Sequence, residues 1–171
     1  MVNKTYVAMA LIGVALISLW VAADSVLIFR LQPPLNPPSN AAGKTPNVNI
    51  MLYGGMVTNA ADGGPMMGFG FSPNNITSPG PTLTFKITDV VNITVENVGM
   101  TPHAFAVTSV VGTGAPVLFN AEVASASNPL MPGQSGSVVF TPTQAGSTFF
   151  YECPCSSHSE LGMWGSVVVT G

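Results

Sequence analysis

Between Val48 and Gly171 the apolar residues come in short runs, and Gly, Pro, Ser or Asn interrupts each one. A helix needs an uninterrupted 3.6-residue period over three or more turns, whereas a strand needs only four to eight residues between turn signals. The run Thr82-Leu83-Thr84-Phe85-Lys86-Ile87 alternates polar and apolar, and Val91-Asn92-Ile93-Thr94-Val95-Glu96 does the same. Such alternation presents one face to a core and the other to water. The pattern predicts strands at Val48–Tyr53, Met67–Phe71, Thr82–Ile87, Val91–Val98, His103–Val110, Gly136–Phe140, Thr148–Cys153 and Ser166–Thr170. Val167-Val168-Val169 is too apolar to alternate and reads as a central strand. Seven or eight strands in about 125 residues imply an all-β fold, an antiparallel sandwich of two sheets. Residues Asn120–Pro132 read as an irregular excursion between strands.

The N-terminal part has a different character. Tyr6–Ala23 is continuously apolar, with Lys4 before it and Asp24 after it. At about eighteen residues it is near the lower limit for a bilayer span. Val21-Ala22-Ala23 also resembles a signal-peptide cleavage site. Residues 1–30 are therefore a membrane anchor or a signal segment, the anchor (a transmembrane helix) being favoured, and either places the remainder of the chain outside the cytoplasm. Residues 31–47 contain Pro-Pro twice and read as a Pro-rich, semi-rigid linker. Residues 48–171 form the folded domain.

Charge excludes one class of partner. Only 6% of residues are charged, and four Lys and Arg against seven Asp and Glu leave a net charge of −3. No basic stripe exists to meet a phosphate backbone, so nucleic acid is not expected as a partner. Few carboxylates also means little stability to lose when carboxylates protonate in acid.

Chemistry concentrates in two segments. One is Pro102-His103-Ala104-Phe105; the other runs Cys153-Pro154-Cys155-Ser156-Ser157-His158 and on to Gly162-Met163-Trp164. Two histidines, a thiolate and a weak thioether are the donor set of a blue-copper electron-transfer site. Each residue has a plainer reading alone: His103 as an edge residue, Cys153 as a small buried hydrophobe, Met163 as a gap filler. Together those readings require both histidines of the chain, a cysteine and a methionine to fall into this order by accident. Either thiol has loop spacing suited to copper. Cys153 is in phase with Phe149 and Tyr151 on one strand face, while Cys155 lies beyond Pro154. Cys153 is the favoured ligand and Cys155 the alternative. A Cys153–Cys155 disulfide is disfavoured, since residues i and i+2 of an extended chain approach the upper distance limit for a bridge.

At these residues the chain resembles the cupredoxins. Ser78-Pro79-Gly80-Pro81-Thr82-Leu83, Asp89-Val90-Val91-Asn92-Ile93-Thr94-Val95, Pro102-His103-Ala104-Phe105 and the Cys153-x4-His158-x4-Met163 loop carry the likeness across residues 48–171. The long loop, the Gly162-Met163-Trp164-Gly165 ending and the N-terminal segment look most like the sulfocyanins, with the rusticyanins next. The resemblance implies a cupredoxin-like Greek-key sandwich. It implies one type 1 copper ion, cycling between Cu(I) and Cu(II), on His103, Cys153, His158 and Met163. It further implies a blue copper electron carrier, not an enzyme, in the extracytoplasmic respiratory chain of an acidophile. Its partners would be redox donor and acceptor proteins, among them a membrane terminal oxidase. Copper storage or delivery to an oxidase is the alternative function. One departure is Ala104, where many cupredoxins carry Asn or Ser; the hydrogen bond that ties the ligand loops must come from elsewhere.

Overall fold

The computed structural model describes residues 40–41, 43–58 and 63–171. They form ten strands: β1 (Val48–Thr58), β2 (Pro65–Ser72), β3 (Asn75–Thr77), β4 (Leu83–Lys86), β5 (Val91–Asn97), β6 (Phe105–Thr108), β7 (Val117–Val123), β8 (Ser135–Phe140), β9 (Gly146–Glu152) and β10 (Trp164–Thr170). These build two five-stranded sheets, ordered β3-β2-β1-β5-β8 and β4-β10-β9-β6-β7. The expected anchor or signal segment at residues 1–30, and the linker up to residue 39, lie outside the described residues. Among the described residues no helix is long and apolar enough to cross a membrane.

The all-β class and the central place of Val167–Val169 hold, since β10 lies between β4 and β9. The wholly antiparallel arrangement does not. β1 runs parallel to β5, with Val48 opposite Val91, and β10 runs parallel to β4, with Val167 opposite Leu83. Alternation reports which face a strand buries and is blind to the direction of its neighbour. Two strands were also missed. β3 has three residues, too few for a pattern. β7 overlaps the expected irregular region from Asn120 onward; Phe119 and Asn120 adopt φ of 57° and 52°, and the β6–β7 register slips between Ala106 and Thr108. That bulge breaks the period-two signal.

The core lies between the inner faces of the sheets. Val91, Ile93 and Val95 of β5 are buried while the residues between them are half-exposed. Opposite them, Phe105 stacks on Tyr151 at 5.5 Å, and Phe69 meets Tyr151 edge-on at 5.4 Å. Phe85 and Phe140 close a second edge-on pair at 5.9 Å. The Tyr151 hydroxyl donates to the Pro81 carbonyl at 2.6 Å, so the ring packs without stranding its polar end. Apolar burial at roughly 25 cal/mol per Å² makes this interior the rigid base of the molecule.

Strand directions then define two ends. β5 ends at Asn97, β9 ends at Glu152, and β8 and β10 begin, at one end. At the other, Asn40 exchanges two 2.9 Å hydrogen bonds with Thr141, just past β8.

This packing has two testable consequences. A side chain at Gly165 would collide with the Tyr151 ring. Gly165→Ala is therefore expected to lose about 1–3 kcal/mol of stability in a urea titration. Burial raises the carboxyl pKa values of Glu122 and Glu152. Hydrogen bonds from the backbone of Lys86 and from Asn47 lower that of Asp89, and bonds from its own amide and Thr113 lower that of Glu160. A raised carboxyl contributes stability that is complete below its unfolded pKa and lost as pH rises through its folded one. A lowered carboxyl contributes stability present above its unfolded pKa and lost as pH falls through its folded one. The two pairs oppose each other, so the thermal midpoint by circular dichroism is expected to change little between about pH 6 and pH 2. A fall of tens of degrees would contradict this.

Candidate metal centre

β9 projects Phe149 and Tyr151 inward, and Cys153 continues that phase one step past the strand's end. Its N–H donates to the Met163 carbonyl at 2.9 Å, extending the β9–β10 pairing to the base of the loop. Within the loop, the Met163 N–H donates to the His158 carbonyl at 2.9 Å and the His158 N–H to the Cys155 carbonyl at 3.1 Å. Gly162, at φ +91°, makes the return turn; any side chain there would meet the Ser78 hydroxyl. The loop is thus folded onto itself, and His158 is turned back over Cys153.

His103 comes from the other direction. It lies just before β6 and exchanges backbone hydrogen bonds of 3.0 and 2.8 Å with Leu130. Its strand was expected to begin at 103; it begins at Phe105, and His103 forms an isolated bridge instead. Gly99 leaves room for the ring, because a Cβ there would stand 2.9 Å from Nε2 of His103.

The donor atoms of His103, Cys153 and His158 lie within 4.8 Å of one another. The two Nδ1 atoms are 3.2 Å apart, and Cys153 Sγ is 3.4 Å from Nδ1 of His158. Donors held at about 2.0–2.3 Å from a shared ion stand about 3–4 Å apart, so the set fits one metal ion. His103, Cys153 and Met163 are buried and His158 is half-buried. Met163, the fourth expected residue, points its methyl toward β1: Cε is 3.0 Å from where a Cβ on Gly54 would stand. Cys155 is buried but does not join the cluster. A hydrogen bond to Cys155, then burial, push the Cys153 thiol up to about 11, and the same hydrogen bond lowers Cys155.

The link that Ala104 cannot make with a side chain is made in two other ways. Its backbone N–H donates to Cys153 Sγ at 3.3 Å. The buried amide of Asn97 donates to the carbonyls of Thr101 at 2.8 Å and Leu130 at 2.9 Å and accepts the Gly99 N–H at 2.9 Å. Asn97 thus ties both segments that flank His103. It was missed from sequence, although a signal exists: Asn97 continues the inward phase of Val91, Ile93 and Val95. Around the histidines, Met100, Met131 and Leu161 are exposed. Leu130, next to Met131, is fully buried, and its backbone is paired with that of His103.

Fold and site together define a cupredoxin-like copper-binding domain with a single type 1 site. Residues 71–171 match the family model described as multicopper oxidase, and the chain belongs to that family. Among solved structures, laccase from Pediococcus acidilactici is similar at 19% identity and a TM-score of 0.54, over 81% of this chain and 31% of that one. Laccase from Botrytis aclada is similar at 20% identity and 0.53, over 74% and 24%. Auracyanin B is similar at 17% identity and 0.51, over 80% of this chain and 99% of its own. These likenesses establish the fold. The chain spans about a third or less of either laccase. No curated protein matches it significantly.

Because the Cys153 thiol keeps its proton near neutral pH and a metal takes the thiolate, copper uptake is expected to release about one proton per ion from it. Apparent affinity should rise about tenfold per pH unit through the neutral range. Titration of the apoprotein in weak buffer checks this; uptake without proton release would show the thiol already ionised.

Proposed function

We propose that this protein is a blue-copper carrier of single electrons, with His103, Cys153, His158 and Met163 as ligands. The observation that carries the reading is the convergence of one cysteine and two histidines from two chain segments about fifty residues apart, with Met163 buried at the far foot of the same loop. When bound, copper supplies a centre that gains and loses one electron. The chain's own part is to keep the donors still. Asn97 and the β9–β10 pairing hold the two ligand segments, and the core beneath them resists rearrangement.

Family membership raises a second reading, an oxidase module. The sequence contains two histidines, and both stand in this site. None is left to build a further copper cluster, which favours the carrier. Buried ligands also speak against copper storage or delivery, which requires ready exchange.

In this reading His158, the least buried of the four, is the exit for electrons, and Met100, Met131 and Leu161 make a small apolar rim for brief docking. The partners are redox donor and acceptor proteins, one of them a membrane terminal oxidase. Residues 1–30 hold the domain on the extracytoplasmic side of the membrane, and the sulfocyanins of acidophile respiratory chains are the nearest functional kind. The scarcity of charge supports the acid setting.

Copper-loaded protein is expected to show an intense blue absorption that bleaches on reduction and returns on oxidation. Cys153→Ser should abolish the colour and Cys155→Ser should retain it. Colour lost only in the Cys155 variant would transfer the ligand role. Slow, irreversible metal exchange without the band would favour delivery.

A further inference from the structure

His158 sits on the outer turn of its loop, and hydrogen bonds inside the loop do not fasten that turn to the rest of the domain. One flank is held by β2 and the segment after β3: the Met67 N–H donates to the Leu161 carbonyl at 3.1 Å, and the Ser78 hydroxyl to the Gly162 carbonyl at 3.1 Å. The other flank is held by the segment between β6 and β7. There the Thr113 hydroxyl lies 2.6 Å from the Ser156 carbonyl and 3.0 Å from Oε1 of Glu160, and the Thr113 N–H donates to the same Oε1 at 3.3 Å. The second carboxylate oxygen of Glu160 accepts the Ser159 hydroxyl at 3.1 Å. The turn held in this way contains Ser156 at φ +49°, a conformation that an unsupported serine rarely keeps.

The segment that supplies Thr113 is itself anchored beside the thiolate. Glu152, immediately before Cys153, is 1% exposed, and its Oε2 accepts the Gly112 N–H at 2.7 Å. Its Oε1 has no hydrogen-bond partner among the described residues. Burying a half-satisfied carboxyl costs stability. Glu152 points away from the core-facing phase of β9, so packing does not demand it. What its position achieves is a closed ring: Cys153 to Glu152 by the chain, to Gly112 by a hydrogen bond, to Thr113, and across to Ser156 and Glu160 on either side of His158.

We propose that Thr113, with Glu160 and Glu152, forms a clasp that positions His158 against Cys153. This rests on the blue-copper reading and names residues that control that site without touching the metal. Such a clasp limits how far the exposed ligand moves when the oxidation state changes, which is where a carrier's rearrangement would otherwise occur.

The test compares Thr113→Val, of equal size but without the hydroxyl, with Thr113→Ser, which restores it, in the full chain. In the apoprotein, amide exchange at residues 157–160 is expected to speed up about tenfold in the Val variant, with the His158 ring-nitrogen shifts altered, and to return to wild type in the Ser variant. In the copper-loaded Val variant the copper hyperfine splitting should change and electron self-exchange should slow several-fold. Unchanged exchange and unchanged His158 shifts would overturn the proposal. So would faster exchange, or a lower melting midpoint, with an unaltered copper spectrum, since the clasp would then be structural only. A wild-type protein that never turns blue would sink the copper reading instead, and the apoprotein arm would still decide whether Thr113 positions His158.

Discussion

The pairing of β9 with β10 is the constraint on which the rest depends. These adjacent strands share a register from Phe149 opposite Val167 to Glu152 opposite Trp164. The bond from the Cys153 N–H to the Met163 carbonyl carries that register one step further. Thiolate and thioether therefore stand at the two feet of one loop, and their separation is a property of the sheet. Beneath them, Tyr151 is locked between Phe69, Phe105 and the close approach of Gly165. A packed interior has few alternative arrangements, so a site built on its rim inherits the same stillness.

The histidines are held by different means, and the difference matches their burial. His103 is fully buried, and its flanking segments are tied by the Asn97 side chain and by paired backbone bonds to Leu130. His158 is half-buried on a turn that only its flanks secure. A ligand near the surface is not packed in place; polar contacts at its edges fix it instead. Those contacts involve two of the chain's seven acidic residues, a large share in so weakly charged a protein.

Family membership and site geometry settle different things. The match over residues 71–171 brings the chain into the multicopper oxidase family, and the laccases and auracyanin B share its fold. Neither tells an oxidase module from a carrier. The proposal of a carrier draws on the donor inventory of this sequence: two histidines, both converging on Cys153.

Much of this was legible in the chain itself. Period-two alternation in β4 and β5 and frequent Gly and Pro determined an all-β fold, because side chains alternate faces whatever the strand's neighbours are. The types and order of His103, Cys153, His158 and Met163 express a metal's donor preferences along the chain; the fold brings the first three together, and Met163 stays the expected fourth. Strand direction was not legible, because parallel and antiparallel neighbours impose the same alternation. Nor was β7, whose bulge at Phe119 and Asn120 erases the period. Asn97 showed its phase but not its partners. Glu152, Thr113 and Glu160 gave no signal, since each meets a segment about forty or more residues away. Residue type and local period are written along the chain; which distant loops touch is decided only when the two sheets close on each other.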